Sequence, residues 1–79
     1  MRRVKATVKV ISHNPRVCKL SQYIPQYKFL SSDGMVYTWY SHAKKLVNLT
    51  IGEEYNVVMT PALSVNKNGE LEVFHVNFT

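Results

Sequence analysis

Hydrophobic and polar positions alternate strictly at the start of the chain, with Val4, Ala6, Val8 and Val10 on one side and Arg3, Lys5, Thr7 and Lys9 on the other. A period of two predicts a half-buried strand over residues 3–12, with a basic outer side. Such charges also serve to protect a sheet edge. Residues 13–23 lack clean periodicity, and Asn14-Pro15 favours a turn. A long loop is predicted there, of the kind that often carries function, with strand extension over part of it as the alternative. A second strand is predicted over Ile24–Leu30, with Pro25 near its start or at an edge, and a third over Met35–Tyr40. Ala43, Leu46, Val47 and Thr50 then recur at helical spacing. They predict a short amphipathic helix over 41–49, with Ser41 as N-cap and Gly52 as stop. A fourth strand over 53–60 faces Tyr55, Val57 and Met59 one way, and Pro61 ends it. Ala62–Gly69 is polar and carries the turn pair Asn68-Gly69. The fifth strand, Glu70–Phe78, is expected to set Phe74, Val76 and Phe78 against Val73, His75 and Asn77.

Tyr27 to Tyr40, the second and third strands, holds five of the nine aromatic residues. Asp33-Gly34 between them is a hairpin signal. Two registers are open. If Ser31–Gly34 forms a type I turn with Gly34 as a left-handed bulge residue, Phe29 pairs with Tyr37 and Tyr27 with Trp39. If Asp33-Gly34 is a two-residue turn, Leu30 meets Tyr37 and Lys28 meets Trp39. Aromatic cross-strand pairs stabilise a sheet, which favours the first. The slip decides every cross-strand pair, so the sequence leaves open which rings fill the core.

Length fixes a single small domain, 1–79, with a modest core. Cys18 is the one cysteine, which excludes an internal disulfide and fits a reducing, cytoplasmic setting. A lone cysteine of this kind is expected as a buried or half-buried hydrophobe. No secretory leader is expected, because Lys and Thr alternate with Val and Ala after the basic Met1-Arg2-Arg3. No apolar run has the length of a membrane span, so no membrane partner is expected. The net charge of +5 is unevenly spread: residues 1–32 hold seven Lys or Arg and no acid, whereas residues 33–79 hold three lysines and five acids. Basic charge gathered on neighbouring elements is the footprint of a polyanion binder. The plain alternative is a basic protein with no nucleic-acid role.

The predicted order is strand, strand, strand, helix, strand, strand: an all-β domain with one short helix. That is the order of the five-stranded Greek-key barrel called the OB-fold. Asp33, Gly34, Tyr37, Trp39, Gly52 and Glu53 resemble a pattern in small OB-fold domains of phage-type and replication-associated single-strand nucleic-acid-binding proteins. In those, D-x-x-G ends one strand, Y-x-W lies in the next, and a Gly-Glu or Gly-Asp pair opens the fourth. The aspartate-to-glycine spacing here is shorter. The resemblance covers roughly residues 27–60, and the ends only by strand order. It implies a strand of nucleic acid held across the outer face of strands two and three, flanked by the loops after strands one and four.

Such binding needs cations for phosphates and rings for bases. The candidate phosphate contacts are Arg16, Lys19, Lys28 and Lys67, with Arg3, Lys5 and Lys9 widening the positive face. The candidate stacking rings are Tyr23, Tyr27, Tyr37, Trp39 and Tyr40, with Tyr27, Trp39 and Tyr40 preferred; two or three of the five are expected in the core, and Tyr23 and Tyr40 are the rings expected to be exposed. His13, His42, His75 and Cys18 lack metal-ligand spacing, so neither metal nor cofactor is expected. No nucleophile–base pair or glycine-rich phosphate loop is present, and the chain reads as a non-enzyme. The expected partner is single-stranded DNA, or RNA, with little sequence preference. The alternative is a viral or mobile-element accessory module that binds or inhibits a host or replication protein. A homodimer through the first or fifth strand is a further expectation, since a small barrel can leave edges open.

Overall fold

The computed structural model describes residues 3–19, 21–41 and 49–79. The strands are β1 (Val4–Lys19), β2 (Gln22–Ser31), β3 (Val36–Tyr40), β4 (Glu54–Pro61) and β5 (Leu71–Phe78). They close into a barrel in the order β1-β2-β3-β5-β4, with β4 returning to β1. β3 and β5 are parallel, and every other pair is antiparallel. The chain is therefore an all-β, OB-fold-like closed barrel. The helix expected at 41–49 falls almost wholly on residues 42–48, outside the described residues.

The first strand follows its alternation. Val8 and Val10 are fully buried, while Arg3, Lys5, Thr7 and Lys9 are exposed. The hairpin adopts the aromatic register, with Tyr27 opposite Trp39 and Phe29 opposite Tyr37. Its turn explains the choice. The Gly34 amide donates to the Ser31 carbonyl at 3.1 Å and the Ser31 amide to the Met35 carbonyl at 2.9 Å, with Gly34 at φ +88°. This is a three-residue loop closed by a left-handed bulge, a conformation that glycine adopts without steric penalty. The Asp33 carboxylate accepts from the Ser31 hydroxyl and from the Met35 amide. Both bonds hold its pKa below the ordinary value.

The aromatic face of the hairpin points inward. Tyr27, Phe29 and Trp39 join Val8, Val10, Val57, Met59 and Val73 in one core. Trp39 is its hub, with ring centroids 5.7 Å from Tyr27, 6.0 Å from Phe29 and 5.7 Å from Phe78. Burying rings of this size is the main favourable term a small barrel has.

Two expectations are corrected by backbone irregularities. The described residues of 13–23 form no long loop and follow the strand-extension alternative: β1 runs on to Lys19 and pairs with β2 as far as Lys19 opposite Gln22. The Asn14-Pro15 signal is absorbed by a bulge between Asn14 and Val17, where the Asn14 side chain accepts from the Arg16 amide at 3.2 Å. An Asx turn and a strand bulge use the same residues as a loop, so the local pattern does not separate them. Cys18, on this extension, is exposed and not buried. In β5 the expected two-face alternation breaks at His75, which has φ +52°. Thr60 faces Phe74 and Val58 faces Asn77, so β5 spends one extra residue there. Val73 is buried and Phe74 is exposed, and beyond the bulge Val76 packs on the core and the Phe78 ring meets Trp39.

Candidate nucleic-acid interface

Beyond the β4 pairing, which ends at Lys9, and the β3 pairing, which ends at Gln26, the β1–β2 hairpin continues as a two-stranded arm. Arg16 and Tyr23 meet on this arm, the guanidinium carbon 4.9 Å from the ring centroid. That is a cation–π contact between exposed side chains, and Tyr23 keeps 65% of its surface in solvent. The Lys19 backbone ends β1 opposite Gln22. Where the arm leaves the barrel, the exposed His13 lies over Tyr27, with centroids 4.3 Å apart and planes 3° from parallel. Burial pushes the Tyr27 phenol upward in pKa.

The outer face of β1 brings exposed Lys5 and Lys9 into one row, continued by Arg3. Between them Thr7 donates to the Asn56 side chain at 2.7 Å. Lys9 stands between Leu30 on β2 and Glu54 on β4. The row and the arm lie on one strand, with irregularities between Val10 and Ser12 and between Asn14 and Val17 separating Lys9 from Arg16.

Tyr27 and Trp39, expected as stacking rings, are 4% and 7% exposed and form part of the core. The register that pairs the aromatics also turns them inward, leaving neither with a face for a base. Tyr40 is half-buried, and its hydroxyl accepts from the Gln26 side-chain amide at 3.2 Å. Among the described residues the most exposed Phe, Tyr or Trp ring is Tyr23, a stacking candidate from the sequence that stands outside the preferred set.

Lys28 and Thr38 are cross-strand neighbours on the outer face of β2 and β3. Glu70, at the end of the 62–70 connection, reaches both. Its Oε2 accepts from the Lys28 ammonium at 3.0 Å and its Oε1 from the Thr38 hydroxyl at 2.9 Å. Burial alone would raise the Glu70 pKa, but the bonds from Lys28 and Thr38, the Lys28 charge and Asn66 together hold it below the ordinary value. Lys28 is thus engaged by a carboxylate of its own chain. Neither Glu70 nor Thr38 stands among the expected site residues. Their signal in the sequence was the Lys28–Thr38 pair of the aromatic register, with an acid directly after Asn68-Gly69. Lys67 is exposed in that turn, where the Asn66 side chain accepts from the Asn68 and Glu70 amides at 2.9 and 3.0 Å.

No protein-family model, curated protein or solved structure matches this chain. The reading of the surface therefore rests on its chemistry. A cleft of about 320 Å³ runs beside the β3–β5 seam, lined by Tyr40, Glu72, Phe74 and His75 among others. Among the described residues no lysine or arginine lines it. Among the described residues no three His, Cys, Asp or Glu side chains gather as a metal site, and no helix is long and apolar enough to cross a membrane.

Proposed function

We propose that this chain is a non-enzymatic module that binds single-stranded nucleic acid, DNA in preference to RNA, with little sequence preference. The observation that carries the reading is the exposed Arg16–Tyr23 stack on an arm continuous with the basic row of β1. A cation beside an accessible ring supplies both parts such binding uses, a charge for phosphate and a face for a base. The OB-fold-like barrel agrees with the single-strand-binding domains that residues 27–60 resemble, although a fold by itself hosts many functions. The single cysteine suits a cytoplasmic setting, the host's if the chain is of phage-like origin.

The direct test is anisotropy of labelled oligo-dT and oligo-U titrated with the protein at two salt concentrations. Binding that weakens steeply as salt rises, and is tighter for dT, supports the reading. No binding at tens of micromolar protein in low salt would sink it. A second reading is an accessory module that binds or inhibits a host or replication protein. Leu63 and Val65 favour it, because both are exposed on the 62–70 connection, at 103% and 52%. Exposed apolar side chains of this kind suit a protein partner better than a phosphate backbone.

A further inference from the structure

Glu70 is the one acid that reaches the Lys28–Thr38 pair by a hydrogen bond among the described residues, and it does so with both oxygens. We propose that Lys28 and Thr38 form a phosphate subsite, and that the Glu70 carboxylate occupies it in the free protein. The proposal rests on the nucleic-acid reading above and adds which group the incoming phosphate must displace.

Three features of the geometry support it. First, the two donors converge on a forked acceptor, one oxygen each, and two non-bridging phosphate oxygens present the same fork. A phosphate carries its charge on a similar shape, so it can replace the carboxylate bond for bond. Second, the subsite is reachable: the Lys28 side chain is 28% exposed and that of Glu70 16%. Third, the backbone of Glu70 has bonds of its own. Its amide donates to the Asn66 side chain at 3.0 Å, and its carbonyl accepts from the Asn66 amide at 2.8 Å. The Asn66 side chain also bonds the carboxylate, so rotation away from Lys28 and Thr38 gives up that contact too, while the two backbone bonds of the 66–70 turn can stay in place. Thr38, only 1% exposed, has its hydroxyl engaged by Glu70 and becomes available when the carboxylate leaves. The low pKa of Glu70 agrees with a site that favours an anion.

The consequence is competition. An intrinsic carboxylate screens Lys28 from weak anions and yields it to a polyanion already held by the basic row of β1.

The experiment is a double-mutant cycle on oligo-dT binding with the full chain, using wild type, E70Q, K28Q and E70Q/K28Q. Removing the competitor should tighten binding in low salt roughly three- to tenfold and steepen the fall of log K with log salt by about 0.7, the share of one phosphate on a single strand. In the K28Q background that gain should vanish. A gain of the same size in both backgrounds would mean only a change of net charge, and would overturn the subsite; so would an E70Q chain that binds like wild type. Adding T38V to E70Q should lose part of the gain while changing no charge. Should E70Q not fold, the wild-type chain answers the question through the Lys28 side-chain ammonium resonance. That resonance should move on adding oligo-dT, and one that stays in place while the oligonucleotide binds overturns the proposal. If wild type and all variants fail to bind, the nucleic-acid reading itself falls; if wild type binds and the cycle shows no coupling, only the subsite falls.

Discussion

His13 lies flat on Tyr27, with ring centroids 4.3 Å apart and planes 3° from parallel. The histidine is exposed and the tyrosine is 4% exposed, so the imidazole closes one end of the aromatic core. Replacing it by alanine opens that ring face to water. H13A should lose about 1 kcal/mol of stability, the range expected of an aromatic pair, whereas H13F should lose little. Urea unfolding followed by Trp39 emission reads both.

Gly34 turns the β2–β3 hairpin at φ +88°, and a Cβ added there meets no atom within 4 Å. The cost of G34A is therefore conformational and not steric. It should be about 1–2 kcal/mol, the expense of holding an L-residue in the left-handed region. The register should survive, because the ring pairs on both strands specify it. A shift in urea midpoint with an unchanged slope is the expected outcome; a changed slope would mean that the hairpin has rearranged.

Stability should fall in acid, and Glu70 should be one of the groups responsible. Its carboxyl pKa is lower in the barrel than in the unfolded chain, so the unfolded chain takes up a proton first as pH drops. The contribution is complete above the unfolded carboxylate value and disappears as pH falls through the lower folded one. Asp33 acts in the same direction through its turn. E70Q should therefore be less stable than wild type at neutral pH and should converge on it in acid. Melting temperatures at a series of pH values between neutral and about 3, near the foot of the carboxylate range, give the comparison.

Tyr23 and Arg16 should separate on binding. Y23A should weaken oligo-dT binding roughly 5- to 150-fold, which corresponds to a stacked base worth about 1–3 kcal/mol, and Y23F should retain most of the affinity. R16Q should instead reduce the slope of log K against log salt by about 0.7, as one lost phosphate contact on a single strand would. Trp39 emission should change little in any of these titrations, because its ring lies in the core. Strong quenching of Trp39 would count against an outer-surface site.

The fold was legible wherever a period of two ran unbroken. The alternation from Val4 to Val10 placed β1, and the pairing of like rings picked the hairpin register with Tyr27 opposite Trp39. It failed where one residue was added. The bulges near Pro15 and at His75 reset the period, so the arm read as a loop and Phe74 was set on the wrong face. The site was less legible than the fold, for a physical reason. A tyrosine or tryptophan in a strand satisfies a core and a stacking surface equally well, and only three-dimensional closure decides between them. The Lys28–Glu70 contact joins residues 42 apart in sequence, which no local pattern reports.

The parallel pairing of β3 with β5 carries a cost for the chain as it folds. Residues 22–40 can form their hairpin early, because its contacts are local. β4 and β5, which follow the hairpin in sequence, close over its inner face only through long-range pairing, and the Phe78 ring reaches Trp39 only then. Before that closure Tyr27, Phe29 and Trp39 form an incompletely covered aromatic sheet face, at risk of pairing with other chains. The window for misassembly is thus the interval between hairpin formation and β3–β5 closure, and raising the protein concentration during refolding from urea should lower the yield of native barrel.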